Sequence, residues 1–137
     1  MIMYCYDTQV RVRYSETDQM GVVYYGHYAQ YLEVGRAEAM RALGFTYRDL
    51  EERGVLMPVI ELQLQYLRPA RYDDLLTVRT RIKELPEKTM TFLSEIFNES
   101  DRLLTTGSVT LAFLDKQTGR TCTAPLVLLD LLQPRYL

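Results

Sequence analysis

The hydrophobic pattern of this chain changes period once, and that change limits the folds open to it. From Tyr28, apolar residues recur at Tyr31, Leu32, Ala39, Ala42 and Leu43, which is a helical period. Gln30, Glu33, Arg36 and Arg41 take the other faces. Gly35 falls on the apolar stripe, where a glycine costs about 1 kcal/mol relative to alanine. Its presence predicts a neighbour packed very close, such as a sheet backbone. Gly44 is placed to cap the helix. Residues 46–53 read as a short second helix, with Thr46 and Asp49 at capping-box spacing and Gly54 to end it.

Beyond Gly54 the period becomes two. Ile60, Leu62, Leu64 and Tyr66 alternate with polar residues, as do Leu76, Val78, Thr80 and Ile82. Residues 90–97 form a further strand, with a turn at 98–101. A long strand follows at 103–114, with Gly107 at a bend or bulge. Residues 115–119 make a hairpin loop and 120–124 return from it. Residues 126–132, apolar nearly all round, read as a short buried helix or an interface segment. Ahead of the helix, 8–14 alternates like a strand with one wet face. The order is α+β with an antiparallel sheet of five or six strands, and the single long helix can bury its stripe only by lying across that sheet. Open sheet edges make pairing with a second copy a natural solution.

A chain of 137 residues with 47% hydrophobic content is expected to make one domain over 1–137. Sixteen Lys and Arg against eighteen Asp and Glu argue against a nucleic-acid binder. Cys5 and Cys122 stand in no metal-binding spacing, so neither a disulfide framework nor a metal site is expected. The first residues lack the pattern of a secretory signal, and no apolar run approaches the length of a membrane span. These features give a cytoplasmic protein as the expectation.

The segment most suggestive of chemistry joins the first strand to the helix, and it contains Asp18, Gly21, Tyr25 and Gly26. Gly21 permits a turn that other residues resist. The helix start presents unpaired N–H groups, those of Tyr25 and Gly26, to an anion or a developing oxyanion. Asp18 lies seven residues before Tyr25 across the glycine turn, so its carboxylate can face the same spot. A carboxylate opposite oriented donors is what acyl transfer requires. On these residues alone, an aspartate ahead of a helix is more often a cap or turn residue.

Asp18-Gln19-Met20-Gly21-Val22-Val23-Tyr24-Tyr25 resembles the signature of the 4-hydroxybenzoyl-CoA thioesterase family, including its Tol-Pal-associated acyl-CoA thioesterase branch. Two further matches follow in the same order. One is Tyr31-Leu32-Glu33-Val34-Gly35-Arg36. The other is Tyr66-Leu67-Arg68-Pro69-Ala70-Arg71-Tyr72-Asp73-Asp74 and the leucines after it. The resemblance spans about residues 9–125. It implies a hotdog fold, a long helix wrapped by a curved antiparallel sheet, working as a homodimer or homotetramer.

It further implies hydrolysis of an acyl-CoA to free acid and CoA. Asp18 is then nucleophile or general base, and the Tyr25 N–H polarises the thioester carbonyl. The site would lie at the dimer interface. CoA is part of the substrate, and no separate cofactor is implied. A thioester suits so small an apparatus, because its thiolate leaves well and one oriented donor is worth about 3 kcal/mol.

Other residues carry over unevenly. Lys88, Thr89 and Arg120 match positions that contact CoA in relatives, where basic groups suit phosphates. Arg68 and Arg71 are weaker candidates for that role. One branch has histidine where this chain has Tyr25, so that histidine's role does not transfer. His27, the only histidine, is a candidate for orienting water or the acyl group, against a packing role in the first helical turn. Glu33 and Arg36, three apart, can pair and share in shaping the acyl pocket. Glu61 reads as a polar sheet position. The competing functions are a hotdog acyl-CoA hydratase or dehydratase, which would need a histidine beside the carboxylate, and a non-catalytic acyl-CoA-binding domain.

Overall fold

Why the helix and sheet meet where they do is visible at Gly35. A computed structural model describes residues 4–135. In it α1 (Tyr28–Leu43) crosses the sheet formed by β1 (Tyr4–Arg11), β3 (Val59–Tyr66), β4 (Leu75–Ile82), β5 (Thr89–Phe97) and β6 (Leu103–Ala112). A Cβ on Gly35 would lie 2.6 Å from Val78 Cγ1 and 2.8 Å from Thr80 Oγ1. The close neighbours are therefore two side chains of β4, not sheet backbone.

The sheet is antiparallel throughout, in the order β1-β4-β5-β6-β3. Its inner face carries Leu76, Val78, Ile82, Phe92 and Ile96, which close over Leu32, Ala39 and Met40 of α1. The helical stripe differs from expectation at three places. Met40 and Arg36 are buried, whereas Ala42 is exposed. The short α2 (Tyr47–Glu52) has the expected reciprocal cap, with Asp49 N–H donating to Thr46 Oγ1 and Thr46 N–H to Asp49 Oδ2. Gly44 ends α1 with φ of 106°.

Other expectations move. β1 stops at Arg11, because Val12 turns aside to exchange backbone hydrogen bonds with Asp73 and Asp74, and Tyr14–Glu16 coil into a 3-10 turn. Gly107 makes neither bend nor bulge. It stays in register opposite Leu64 and Ser94, and its missing side chain admits Leu32. Bulges fall instead at Val59/Glu61 and Ile96/Phe97.

Residues 120–124 form no returning strand. Thr121 makes one bridge to Leu114, and the chain then leaves to bond Ala124 N–H to Glu87 O. Leu114 also belongs to β7 (Leu114–Asp115), which pairs with β2 (Val55–Leu56). The leucine-rich α3 (Leu126–Leu132) buries Leu128 and Leu132 and leaves Leu126 exposed. No helix among the described residues is long and apolar enough to cross a membrane.

β3 is an edge strand with one unpaired side, and it is mostly exposed. Val59, Ile60, Leu62 and Tyr66 all stand open on it. Its alternation is real, but the buried face that alternation implies is not supplied by this chain alone.

Candidate active site

The loop between β1 and α1 is pinned by a buried carboxylate. Glu16 Oε1 accepts from Arg13 N–H at 2.8 Å and from the Tyr31 hydroxyl at 2.9 Å, while Oε2 accepts from the Arg13 guanidinium at 3.2 and 3.3 Å. Burial alone would raise the Glu16 pKa. The Arg13 N–H, the Tyr31 hydroxyl and the Arg13 charge outweigh it and hold the carboxyl below its ordinary value. The Glu16 carbonyl then accepts the Tyr24 N–H at 2.9 Å, so both ends of the loop close on one residue.

Within that frame the loop doubles back at Asp18. Asp18 N–H donates to Val22 O at 2.9 Å, Gly21 N–H donates to Asp18 O at 3.0 Å, and Gly21 takes φ of 78°. Asp18 Oδ1 accepts the Met20 N–H at 2.9 Å, which fixes the carboxylate's direction. Val23 N–H then donates to Ala70 O at 2.8 Å and docks the loop on the turn after β3.

The chain next enters a 3-10 turn, Tyr25–His27, that runs into α1. Its first internal bond is His27 N–H to Tyr24 O. The Tyr25 and Gly26 N–H groups precede that bond and have no acceptor within the turn. The Tyr66 hydroxyl donates to Tyr25 O at 2.9 Å and so orients the planar peptide unit that carries the Gly26 N–H. The Tyr28 hydroxyl accepts from Ala70 N–H at 3.2 Å, and its ring meets that of Tyr66 edge-on.

Asp18 and Tyr25 open onto one cleft of about 290 Å³, bordered also by Val22, Tyr28, Tyr66 and Arg68. The carboxylate and the donor-bearing turn are thus brought together. Arg68 adds a positive charge at the rim. His27 does not line this cleft; its Nδ1 lies 3.2 Å from Gln30 Oε1. Lys88, Thr89 and Arg120 stand at the opposite end of the sheet. Thr89 pairs with Ala112, the Lys88 carbonyl accepts from Phe113 N–H, and the Arg120 carbonyl accepts from Asp115 N–H. Arg71 caps the turn before β4, its N–H donating to Asp74 Oδ2. Glu61 is exposed and lies 3.4 Å from Gln63 Nε2.

Sequence reading missed Glu16 and Tyr66 as parts of the site. Glu16 lies two residues before Asp18 in a polar stretch and carries no pattern that marks it as buried. Tyr66 ends an alternating strand and opens the third family motif, and neither reading assigns its hydroxyl to the Tyr25 carbonyl.

A long helix laid across a five-stranded antiparallel sheet is the hotdog arrangement, and Asp18 and Tyr25 border one cleft beside the start of that helix. The chain belongs to the family described as the Thioesterase superfamily, whose model matches residues 20–105. It is 36% identical over 107 residues to the acyl-CoA thioesterase YbgC of Haemophilus influenzae, covering 77% of this chain and 78% of that one. Among solved structures it resembles a DHNA-CoA thioesterase from Staphylococcus aureus, at 36% identity and a TM-score of 0.82, over 90% of this chain and 81% of that one. A 4-hydroxybenzoyl-CoA thioesterase at 21% identity shares the fold, with a TM-score of 0.84 over 94% of this chain and 99% of that one.

Proposed function

We propose that this thioesterase hydrolyses acyl-CoA to free acid and CoA, with Asp18 as its carboxylate and the Tyr25 and Gly26 amides as donors to the thioester carbonyl. The observation that carries the assignment is that Asp18 and Tyr25 border the same cleft. Two routes suit the geometry. Asp18 attacks the thioester carbon itself, or it takes a proton from an attacking water. Both drive negative charge onto the carbonyl oxygen, where helix-start N–H groups are most effective. A hydratase would need a histidine beside the carboxylate, and His27 faces Gln30 instead.

The working unit in this reading is a two-fold pair joined along β3. That strand has a free edge and exposed apolar residues on it. Within one chain, the Asp18 cleft lies at the Tyr66 end of β3, while Lys88 and Thr89 lie near the Val59 end, across β6. Seven residues of strand separate the two ends by about 23 Å. Antiparallel pairing sets Tyr66 beside Val59 of the second copy. It thereby brings Lys88, Thr89 and Arg120 of that copy toward the cleft, as a phosphate-bearing CoA requires.

Thiol release from a panel of acyl-CoAs tests the activity, and light scattering tests dimer against tetramer. Asp18→Asn and Asp18→Ala are expected to lose about 10²- to 10⁴-fold in kcat. Wild-type rates in both variants would remove Asp18 from the mechanism.

A further inference from the structure

One buried cation takes no part in the chemistry above. Arg36, on α1, is 7% exposed, and its Nε has no hydrogen-bond partner among the described residues. The Tyr47 hydroxyl on α2 is buried beside it, with the Arg36 guanidinium acting on its oxygen as a donor, and the Tyr47 O–H itself has no acceptor among the described residues. Among the described residues Arg36 makes its ion-pair contact with Glu33, at 3.9 Å, and the Glu33 side chain is 71% exposed to water. Such a pair is worth little, while a buried guanidinium without full hydrogen bonding is costly. Burial pushes the Tyr47 hydroxyl up to about 12, against the opposing charge and hydrogen bond of Arg36. It therefore stays protonated and able to donate at neutral pH.

Both residues border a cavity of about 270 Å³, lined also by Leu50, Val55, Met57 and Leu111 and by the acidic Glu33 and Glu51. Arg36 also borders a second cleft of about 210 Å³ between α1 and β3, lined by Ala29, Gln30, Val59 and Leu62. That cleft continues the Asp18 cleft along the same two elements, since Tyr28 precedes Ala29 and Tyr66 follows Leu62 on β3. Arg36 lies eight residues, about 12 Å, along the helix from Tyr28. In the two-fold pairing, the Val59 end of β3 also faces the Tyr66 end of the second copy. The cavity then borders that copy's Asp18 cleft as well. With the carbonyl at the Tyr25 turn, an acyl group that extends along α1 and β3 reaches this space.

We propose that Arg36 and Tyr47 form the far end of the acyl pocket and select acyl groups that carry an oxygen acceptor there. The inference rests on the thioesterase reading of the Asp18 cleft. A plain hydrocarbon end would leave the Arg36 Nε–H and the Tyr47 O–H without an acceptor, so the site disfavours it. A carboxylate or ring hydroxyl satisfies them, and a carboxylate can take the guanidinium fork with two parallel bonds. Glu33 is free to swing into water when an anion enters.

The test compares matched acyl-CoA pairs by thiol release. One pair is a straight-chain acyl-CoA and its ω-carboxy counterpart of equal length, and the other is benzoyl-CoA and a hydroxybenzoyl-CoA. Release from any of these by the wild type tests hydrolysis itself, while the kcat/KM ratio within a pair tests the acceptor subsite. The wild type is expected to favour the oxygen-bearing member of at least one pair, and the responding pair identifies carboxylate or hydroxyl. Arg36→Met should lower that ratio about 10- to 100-fold and Tyr47→Phe about 3- to 10-fold, chiefly through KM. Tyr47→Phe loses one oxygen and keeps the ring, so it reads the subsite even where Arg36→Met folds poorly. Hydrolysis with no wild-type preference in either pair, or ratios unchanged in Tyr47→Phe, would overturn the proposal.

Discussion

Replacing Glu16 with alanine should weaken fold and catalysis together, by amounts the loop geometry sets. The substitution removes the acceptor for the hydroxyl of Tyr31, a residue only 2% exposed. An orphaned buried donor costs about 1–3 kcal/mol. Loss of the bond from the Arg13 N–H, which closes the 3-10 turn, adds about 1 kcal/mol. The Arg13 ion pair contributes almost nothing, because that arginine's side chain is 74% exposed. The total is about 2–4 kcal/mol, or about 8–16 °C in Tm for a chain of this size.

The sign with pH follows from the depressed Glu16 pKa. Its contribution is fully present above the ordinary glutamate range and is lost as pH falls through the folded-state value, so Glu16→Ala should flatten the acid side of the stability profile. Because the Glu16 carbonyl also holds Tyr24, kcat should fall about tenfold with little change in KM. Thermal melts at fixed protein concentration and thiol-release kinetics measure the two effects. Tyr31→Phe in a double-mutant cycle isolates the shared hydrogen bond. A variant that melts within 2 °C (roughly 0.5 kcal/mol) of wild type would show that Glu16 does not pin the loop.

Three other substitutions probe different parts of the structure. Tyr66→Phe frees the Tyr25 carbonyl, and kcat should drop about 3- to 10-fold at unchanged Tm, since one exposed hydrogen bond is lost. Gly35→Ala gains about 1 kcal/mol of helix propensity but forces a methyl onto Val78 and Thr80, for a net destabilisation of about 1–2 kcal/mol in urea melts. Leu62→Lys places a charge on the free face of β3, and light scattering should show loss of the proposed β3 pairing with loss of thiol release, while the circular dichroism stays native-like.

Residues whose partners are local in sequence were the most legible. Thr46 and Asp49 cap α2 as their spacing implies, and α1 begins at Tyr28, the first residue of its periodic stripe. Gly35 announced a close contact, although periodicity could not say that β4 side chains make it. β3 reads as a half-buried strand but lies open, because it is the edge of the sheet and no element among the described residues covers its apolar residues. Gly107 misled for a related reason. A glycine in a strand marks either a bulge or an intruding neighbour, and only the tertiary structure reveals that Leu32 is the intruder.

Buried polar residues were the hardest to foresee, and they are where the site departs from a simple hydrophobic pattern. Hydrophobic periodicity finds positions that water rejects, so it assigns Glu16 and Arg36 to the surface by chemistry alone. Glu16 stays inside because Tyr31, fifteen residues away, returns one helical turn into α1 to meet it. Arg36 stays inside beside Tyr47 with donors left over. The two cases differ in their hydrogen bonding, and that difference bears on function. The Glu16 carboxylate is fully satisfied by its own chain, so its burial serves the architecture of the Asp18 loop. The Arg36 Nε–H is not satisfied, so its burial creates an unmet demand for an acceptor. A fold that keeps such a group beside the path of the acyl chain gains nothing in stability from it. The return must come when an oxygen-bearing acyl group supplies the missing bonds.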